Sequence, residues 1–164
     1  MALTMRVIIA ALITSVIGLN GCQGLSDSDT SRIKSEIESS MKKASQAWED
    51  FPRSLDRAAF MKYYADDYSG VKDGVSEDYK ELETSFDTLA DQIKLGAKIG
   101  ISYKVTELNI RPFTERLALV TYQDETIYGR NGNVERFIKS KCSALVRKEA
   151  ESWLVFHEHC SKSN

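Results

Sequence analysis

The sequence predicts an α+β domain in which three N-terminal helices pack on one face of a curved antiparallel sheet. Up to about residue 95, apolar residues recur every three or four positions, as they do along one face of a helix. From Ile99 onward, apolar and polar residues alternate with the period of a strand. Helices followed by a run of strands are typical of a helix layer packed on an antiparallel sheet.

The first 21 residues are predicted to be a secretory signal peptide. Arg6 precedes an apolar run from Val7 to Leu19, which is shorter than the roughly 20 residues that a membrane-spanning helix needs. A basic residue before the run and small residues after it are typical of a signal sequence. A buried N-terminal helix is the alternative, but the run offers no polar face.

The end of this leader, LNGC at residues 19–22, resembles a bacterial lipobox. In lipoproteins of that kind, the leader is removed before the cysteine, which then carries acyl chains on its sulfur and its amino group. We therefore expect Cys22 to be the lipid attachment site, since several acyl chains anchor a protein stably. By the sorting rules of enteric bacteria, Gln23 implies the outer membrane, with the protein facing the periplasm.

Removal of residues 1–21 leaves 143 residues, enough for one domain with a sizeable core. The leader contains Arg6 and no acidic residue, so the mature chain keeps 21 basic and 24 acidic side chains. This mixed charge gives no argument for a nucleic-acid partner. Residues 22–31 are mostly small and polar and are expected to be a flexible tether, followed by a single domain at residues 32–164.

The first helix is predicted from an apolar stripe, capped by Thr30 or Ser31 and ended by Pro52. Ser54 is the expected N-cap of a short second helix with an aromatic end. Ser76 is the expected N-cap of the third helix, which Gly96 ends. The stripe of the first helix comprises Ile33, Ile37, Met41, Ala44, Trp48 and Phe51.

The expected strands begin with a short extended piece at residues 68–71. A second strand starts at Ile99, and a longer one runs from residue 117 to about residue 128. Asn131-Gly132 is a hairpin turn signal. Two further strands, at residues 134–147 and 153–160, complete a predicted antiparallel meander.

Three features together resemble the SnoaL-like domains of the nuclear transport factor 2-like superfamily. They are the segment FMKYYADDYSGVKDG at residues 60–74, the capped third helix, and the final strand WLVFHEHCS. The resemblance spans residues 33–161 and implies a cone-shaped fold with a cavity open at one end, in which members commonly pair through the outer face of the sheet. Members include isomerases, dehydratases, hydrolases, cyclases, ligand sensors and assembly modules.

The final strand is also similar to the end of the association domain of calcium/calmodulin-dependent protein kinase II. That similarity rests on Trp153, His157, His159, Cys160 and Ser161. It implies that alternate residues face a pocket, namely Leu154, Phe156, Glu158 and Cys160. The other set is expected to face a homodimer partner, namely Trp153, Val155, His157 and His159.

Two carboxylates are candidates for acid–base chemistry, although neither is assigned as catalytic. Glu158 in an apolar cavity would have a raised pKa, whereas on the rim it would pair with a basic residue. Asp66 and Asp67 follow the aromatic helix, where an Asp lines the cavity mouth in many relatives. At most one of these adjacent residues would face in, with Asp67 as the candidate, whereas a turn or a helix end is the simpler interpretation. Tyrosines are expected either to line the pocket or to belong to the core, in particular Tyr64, Tyr103 and Tyr122.

His157-Glu158-His159 has the i, i+2 spacing of two ligands on one face of a strand. A catalytic zinc site usually has three protein ligands, however, and the chain contains no third histidine. We therefore expect neither a metal site nor a cofactor.

The two cysteines that follow Cys22 lie on neighbouring predicted strands. In an antiparallel pair of strands, the numbers of facing residues have a constant sum, and Cys142 faces Cys160 only if that sum is 302. The loop lengths favour a sum of 301, which places the two side chains on opposite faces of the sheet. The sequence leaves the disulfide open.

The leading functional interpretation is a lipid-anchored, periplasm-facing homodimer that binds a small, partly apolar ligand without assigned catalysis. An isomerase, dehydratase or hydrolase that uses a pocket carboxylate is one alternative. A dimerisation or docking module of an envelope complex is the other.

Overall fold

The computed structural model describes residues 24–163, so the predicted leader and Cys22 lie outside the described residues. The helices are α1 Asp27–Ser54, α2 Arg57–Met61 and α3 Tyr79–Lys94. The strands are β1 Tyr64–Lys72, β2 Val75–Asp78, β3 Ile99–Thr114, β4 Leu117–Arg130, β5 Asn133–Glu149 and β6 Ser152–Lys162. Within residues 24–163, no helix is both long and apolar enough to cross a membrane.

The six strands form one sheet in the order β2-β1-β6-β5-β4-β3. The four long strands β3 to β6 form the predicted antiparallel meander. β1 is longer than the extended piece expected at residues 68–71, and it lies parallel to β6. The sheet is therefore mixed at this one pairing, and the helices pack on its concave side as the α+β prediction required.

The predicted ends of α1 are wrong in detail. Ser26 is the N-cap, since its Oγ accepts a hydrogen bond from the backbone N–H of Asp29, and residues 27–31 of the expected tether are helical. The structured region starts earlier because Leu25 already packs against the core. Pro52 was expected to end α1, but it lies within the last turn, and the helix continues to Ser54.

The other two helices, in contrast, begin later than predicted, and neither is capped by the expected serine. Asp56 caps α2, and Asp78 caps α3 in a capping box with Glu81. Ser76 is not the cap because residues 75–78 pair with β1 as strand β2. The predicted end of α3 is confirmed, since Gly96 follows it with a φ of +97°.

Two buried clusters hold the helices to the sheet. The N-terminal half of α1 packs on the long strands through Ile33, Ile37, Val120, Val146 and Trp153. The C-terminal end of α1 packs with α2, β1 and α3 through Phe51, Met61, Tyr68, Leu82 and Phe86. The first cluster fills the space beside the start of α1, which leaves room for a cavity only further along the helix.

A bulge in β6 changes the register between the last two strands. Val146 pairs with Val155, but the preceding residue Leu145 pairs with His157, so Phe156 is the extra residue. Near the hairpin the paired numbers sum to 301, as predicted, and beyond the bulge they sum to 302.

The shifted register brings Cys142 opposite Cys160, and the two form a disulfide. The expectation that these side chains lie on opposite faces of the sheet is therefore wrong. Loop lengths alone gave the register near the turn correctly but carried no information about an inserted residue.

Candidate functional site

A cavity of about 360 Å³ lies between the concave face of the sheet and the helices. The C-terminal half of α1 borders it from Met41 to Trp48, and α3 borders it through Leu82, Ser85 and Phe86. Each long strand contributes side chains from alternate positions, because successive strand residues point to opposite faces. Most of the polar groups of the cavity come from the strands.

One wall of the cavity is aromatic. The ring of Trp48 lies 5.2 Å from that of Phe86 and 5.7 Å from that of Phe60, measured between centroids. Tyr64 lies further along this wall, with its ring tilted and 5.2 Å from that of Phe60, and Tyr128 contacts Trp48 from β4. This wall offers an apolar surface suited to the body of a small organic molecule.

Glu158 and Tyr122 form the most buried polar pair of the cavity. The Tyr122 hydroxyl donates a hydrogen bond of 2.5 Å to Oε1 of Glu158, and Glu158 is only 5% exposed. Burial and the negative charge of Glu158 raise the pKa of Tyr122 well above its usual value. The tyrosine therefore stays protonated and serves as a donor to the carboxylate.

A second carboxylate, Asp124, faces the cavity two residues further along β4. Burial raises the pKa of Asp124, against the opposing effect of the nearby Ser140 and Tyr103 hydroxyls. Its Oδ1 is buried and accepts no hydrogen bond from any residue in the described part of the chain. Burial, followed by the charges of Asp124 and Glu158, raises the pKa of Tyr103.

Charged side chains collect at the mouth of the cavity. Lys72 Nζ lies 3.0 Å from Glu77 Oε2, and Lys162 Nζ lies 2.6 Å from Asp73 Oδ2. Partial desolvation works against the Lys72 ammonium, but the charges of Glu158 and Glu77 outweigh it, so the pKa of Lys72 is raised. The Lys72 side chain is still 44% exposed, which places it at the edge and not in the interior.

Tyr68 lies beneath Gly70 of the same strand. A Cβ atom at Gly70 would overlap the Tyr68 hydroxyl, so the glycine is required by this close approach. The pKa of Tyr68 is raised, mainly by burial and secondly by the charge of Glu158. Its hydroxyl is buried without a hydrogen-bond partner among the described residues.

Five of the six residues expected in the pocket line the cavity, namely Tyr64, Tyr103, Tyr122, Glu158 and Cys160. Phe156 does not line it, and neither does Leu154, because the bulge reverses the facing of the strand at this point. The guanidinium of Arg147 instead lies 5.2 Å from the Phe156 ring centroid.

Asp67 lies outside the cavity. Its two carboxylate oxygens accept hydrogen bonds of 2.7 and 2.8 Å from Arg147, and this pairing lowers the pKa of Asp67. The expectation that Asp67 lines the cavity mouth is therefore wrong, and its role as a candidate acid or base is withdrawn. It forms a surface ion pair that links β1 to β5.

The bulge also corrects the expected dimer face of β6. Trp153 is 4% exposed, and its Nε1 donates a hydrogen bond of 3.0 Å to Glu36 of α1, so Trp153 cannot face a partner. Val155, which was also expected to face a partner, lines the cavity instead. His157 and His159 lie beyond the bulge on the outer side, where His157 Nδ1 is 2.9 Å from the Ser69 hydroxyl. Within residues 24–163, no three metal-ligating side chains cluster.

Several cavity residues were not identified from the sequence, among them Asp124, Lys72, Glu77 and Ser140. Asp124 could have been identified from the sequence. Residues 122, 124, 126 and 128 alternate along one strand, so they share a face with Tyr122. Lys72 and Glu77 lie on either side of the turn between β1 and β2, and no pattern within the chain indicates that this turn lies at the cavity mouth.

The chain belongs to the SnoaL-like domain family, whose match spans residues 41–163. This family, within the nuclear transport factor 2-like superfamily, includes ligand-binding members and some isomerases and dehydratases. A comparison with curated proteins finds no match.

Solved structures share this fold. A putative scytalone dehydratase from Novosphingobium aromaticivorans is 12% identical, with a TM-score of 0.69 over 85% of this chain and 89% of that one. The beta subunit of the benzoate 1,2-dioxygenase from Burkholderia mallei is 11% identical, with a TM-score of 0.68 over 79% and 90%. A putative calcium/calmodulin-dependent kinase II association domain from Exiguobacterium sibiricum is 15% identical, with a TM-score of 0.62 over 80% and 93%. At these identities the likeness concerns the fold alone.

Proposed function

We propose that this domain binds a small, partly apolar molecule in the cavity between helices and sheet. The observation that carries the proposal is an open space of about 360 Å³ with aromatic rings on one side and a buried polar network on the other. Ligand pockets are typically concave, mostly apolar and fitted with a few oriented polar groups. A domain used only for assembly would have no need of such a space.

Native mass spectrometry of the full-length chain, purified from cells in a neutral detergent, tests this proposal. We expect a retained molecule of low mass that is lost on denaturation. Ala44→Trp is the matched variant, because Ala44 lines the cavity from α1 and a tryptophan there would fill it. Equal retention by this variant, or no retained molecule together with no binding in a small-molecule screen, would count against ligand binding.

We also propose that the protein is lipid-anchored through Cys22 and faces the periplasm from the outer membrane. The support is the LNGC sequence, the Gln23 that follows it, and the disulfide between Cys142 and Cys160, which suits an oxidising compartment. Labelling with radioactive palmitate tests the anchor. Incorporation should disappear in Cys22→Ala, and unchanged labelling of that variant would exclude this attachment site.

A homodimer that uses the outer face of the sheet is the proposed assembly. His157 and His159 lie on that side, as do Ile127 and Phe137, which pair across β4 and β5. Phe137 is 58% exposed, so a partner would cover apolar surface there. Light scattering should show that Phe137→Glu lowers the mass to that of a monomer, whereas the exposed Leu95→Glu leaves it unchanged. A dimer that survives Phe137→Glu would exclude this face.

Acid–base catalysis of the isomerase, dehydratase or hydrolase type is the second candidate function. It is favoured by the raised pKa of Asp124 beside Tyr103, and by the hydrogen-bonded pair of Glu158 and Tyr122. Tests on ketones and hydroxy ketones, with proton exchange followed by NMR, should detect turnover that Asp124→Asn abolishes. Exchange no faster than with buffer would leave binding as the sole proposal.

A further inference from the structure

We infer that the ligand is an organic cation, a protonated amine carried on an apolar body. This inference rests on the proposed ligand-binding function and specifies the chemistry of the ligand. It follows from the separation of charge in the cavity, where carboxylates occupy the interior and basic side chains occupy the mouth.

The interior contains two carboxylates that form no ion pair, although the charge of Lys72 at the mouth acts on both. Glu158 accepts a hydrogen bond from a neutral donor, Tyr122, and Asp124 has one buried oxygen with no donor among the described residues. Within residues 24–163, the ion pairs of Lys and Arg side chains all involve other acids. A buried carboxylate is stable only when it is paired, hydrogen-bonded or protonated.

Two of the three basic residues at the mouth already form ion pairs with neighbouring acids. Lys72 is paired with Glu77 and Lys162 with Asp73, at 3.0 and 2.6 Å. Arg136, the remaining basic residue of the lining, is exposed. α1 and α3 present only uncharged side chains to the cavity. An anionic ligand would therefore meet two carboxylates that Lys72 offsets only from the mouth, whereas a cation would lie directly against them and compensate them.

The aromatic wall fits the same class of ligand. Trp48, Phe60 and Phe86 offer ring faces within one connected cluster, and Tyr128 adds a fourth ring from β4. An apolar body can pack on these rings, and an ammonium group over a ring face gains further attraction. Polar and apolar walls together therefore select a molecule with a cationic head and an apolar tail.

The affinity for such a ligand should depend on pH through Asp124. The groups around Asp124 are Tyr103 of β3, Tyr128 of β4, Ser140 of β5 and Lys72 of β1. Burial raises the pKa of Asp124. An incoming ammonium group favours the ionised form, so affinity should increase as the pH rises through that raised pKa.

Three probes with the same body and different heads test the inference: 2-phenylethylamine, 2-phenylethanol and 3-phenylpropanoate. Their binding to the full-length chain in neutral detergent is measured by calorimetry at pH 7, with detergent alone as the blank. We expect the amine to bind at least tenfold more tightly than the alcohol, and the carboxylate to bind more weakly than both. Repeating the titrations at lower pH should weaken binding of the amine, because protonation of Asp124 removes the charge that faces it.

Two variants assign the preference to the interior acids. Asp124→Asn and Glu158→Gln should each remove most of the advantage of the amine over the alcohol. Glu125→Gln is the matched control, because Glu125 is the next residue of β4 and pairs on the outer side with Lys139, 3.1 Å away. It should keep the preference of the native chain. Thermal unfolding shows whether each variant is folded.

An alcohol or carboxylate that binds as tightly as the amine overturns the inference but leaves the binding function standing. An amine preference that survives both Asp124→Asn and Glu158→Gln also overturns it, because the cation would then lie elsewhere. Absence of binding by all three probes overturns the inference, and the retained-ligand experiment then decides separately on the proposed function.

Discussion

The hydroxyl of Tyr122 and the carboxylate of Glu158 are joined by a hydrogen bond of 2.5 Å that links β4 to β6 across the disulfide-bonded strand β5. Both side chains are buried, so the bond holds an acid inside the domain without a basic partner. The same pair supplies the polar end of the cavity, so stability and ligand binding depend on it together.

Removal of the Tyr122 hydroxyl should destabilise the protein. Tyr122→Phe leaves the Glu158 carboxylate buried without its donor, and we expect a loss of about 1–3 kcal/mol in the free energy of unfolding. The double variant Tyr122→Phe/Glu158→Leu should lose less than the sum of its single changes, because neither group is then left unpaired. Urea denaturation measures both, and a loss below about 0.5 kcal/mol for Tyr122→Phe would contradict the buried bond.

The Cys142–Cys160 disulfide should contribute measurably to stability. A bridge that closes a short loop typically adds about 2–4 kcal/mol, so Cys142→Ala/Cys160→Ala should lower the melting temperature clearly. A reducing agent should lower the melting temperature of the native chain towards that of the variant and leave the variant unchanged. Equal melting of reduced and oxidised native protein would show that the bridge does not form.

Gly70 should not tolerate a side chain while Tyr68 is present. Gly70→Ala puts a methyl group against the Tyr68 hydroxyl, and overpacking of this kind costs about 1–3 kcal/mol. Tyr68→Phe removes the hydroxyl but leaves the ring carbon Cζ 2.9 Å from the added methyl, so the double variant should recover part of that loss. Denaturant unfolding of the four proteins gives the coupling energy, and strictly additive losses would contradict the predicted overlap.

Glu36 should make stability depend on pH below neutrality. Hydrogen bonds from Lys148 and then Trp153 lower the pKa of Glu36 to about 2. Because the folded-state pKa lies below the usual 4.5, the contribution of Glu36 is present above pH 4.5 and is lost as the pH falls towards 2. Glu36→Gln should therefore destabilise the protein at pH 7 and have a shrinking effect towards pH 2.

The control for this pH dependence is Glu38→Gln on the exposed face of the same helix. It should leave the pH profile of thermal unfolding unchanged. A Glu36→Gln variant whose deficit is the same at pH 7 and pH 2 would show that the ion pair with Lys148 is not formed in solution.

The sequence predicted the order of helices and strands because each period is imposed by burial of one face. It failed where tertiary contacts shift that pattern. Ser76 is a good N-cap by type, but residues 75–78 are taken by pairing with β1, and Asp78 caps the helix instead. The bulge at Phe156 has no signature in the alternation of β6, so Trp153, Leu154 and Phe156 were placed on the wrong side.

The candidate site was predicted in part for the same reason. Glu158 and Cys160 line the cavity, but the strand pattern that placed them there fails before the bulge. Asp124 was missed although Tyr122 on the same face was found. The pairing of Lys72 with Glu77 and the lone oxygen of Asp124 depend on how distant strands meet, which a single sequence does not encode in any local pattern.

The length of α1 has a consequence for how a ligand reaches the domain. The helix starts at Asp27, and its first cavity residue is Met41, which at 1.5 Å per residue lies about 21 Å further along the axis. The few residues between Cys22 and Asp27 extend about 3.5 Å each. With acyl chains on Cys22, as proposed, the start of α1 would be held close to the lipid headgroups. With the helix upright on the membrane, the binding chamber would stand back from them, and ligand would reach it from the surrounding water.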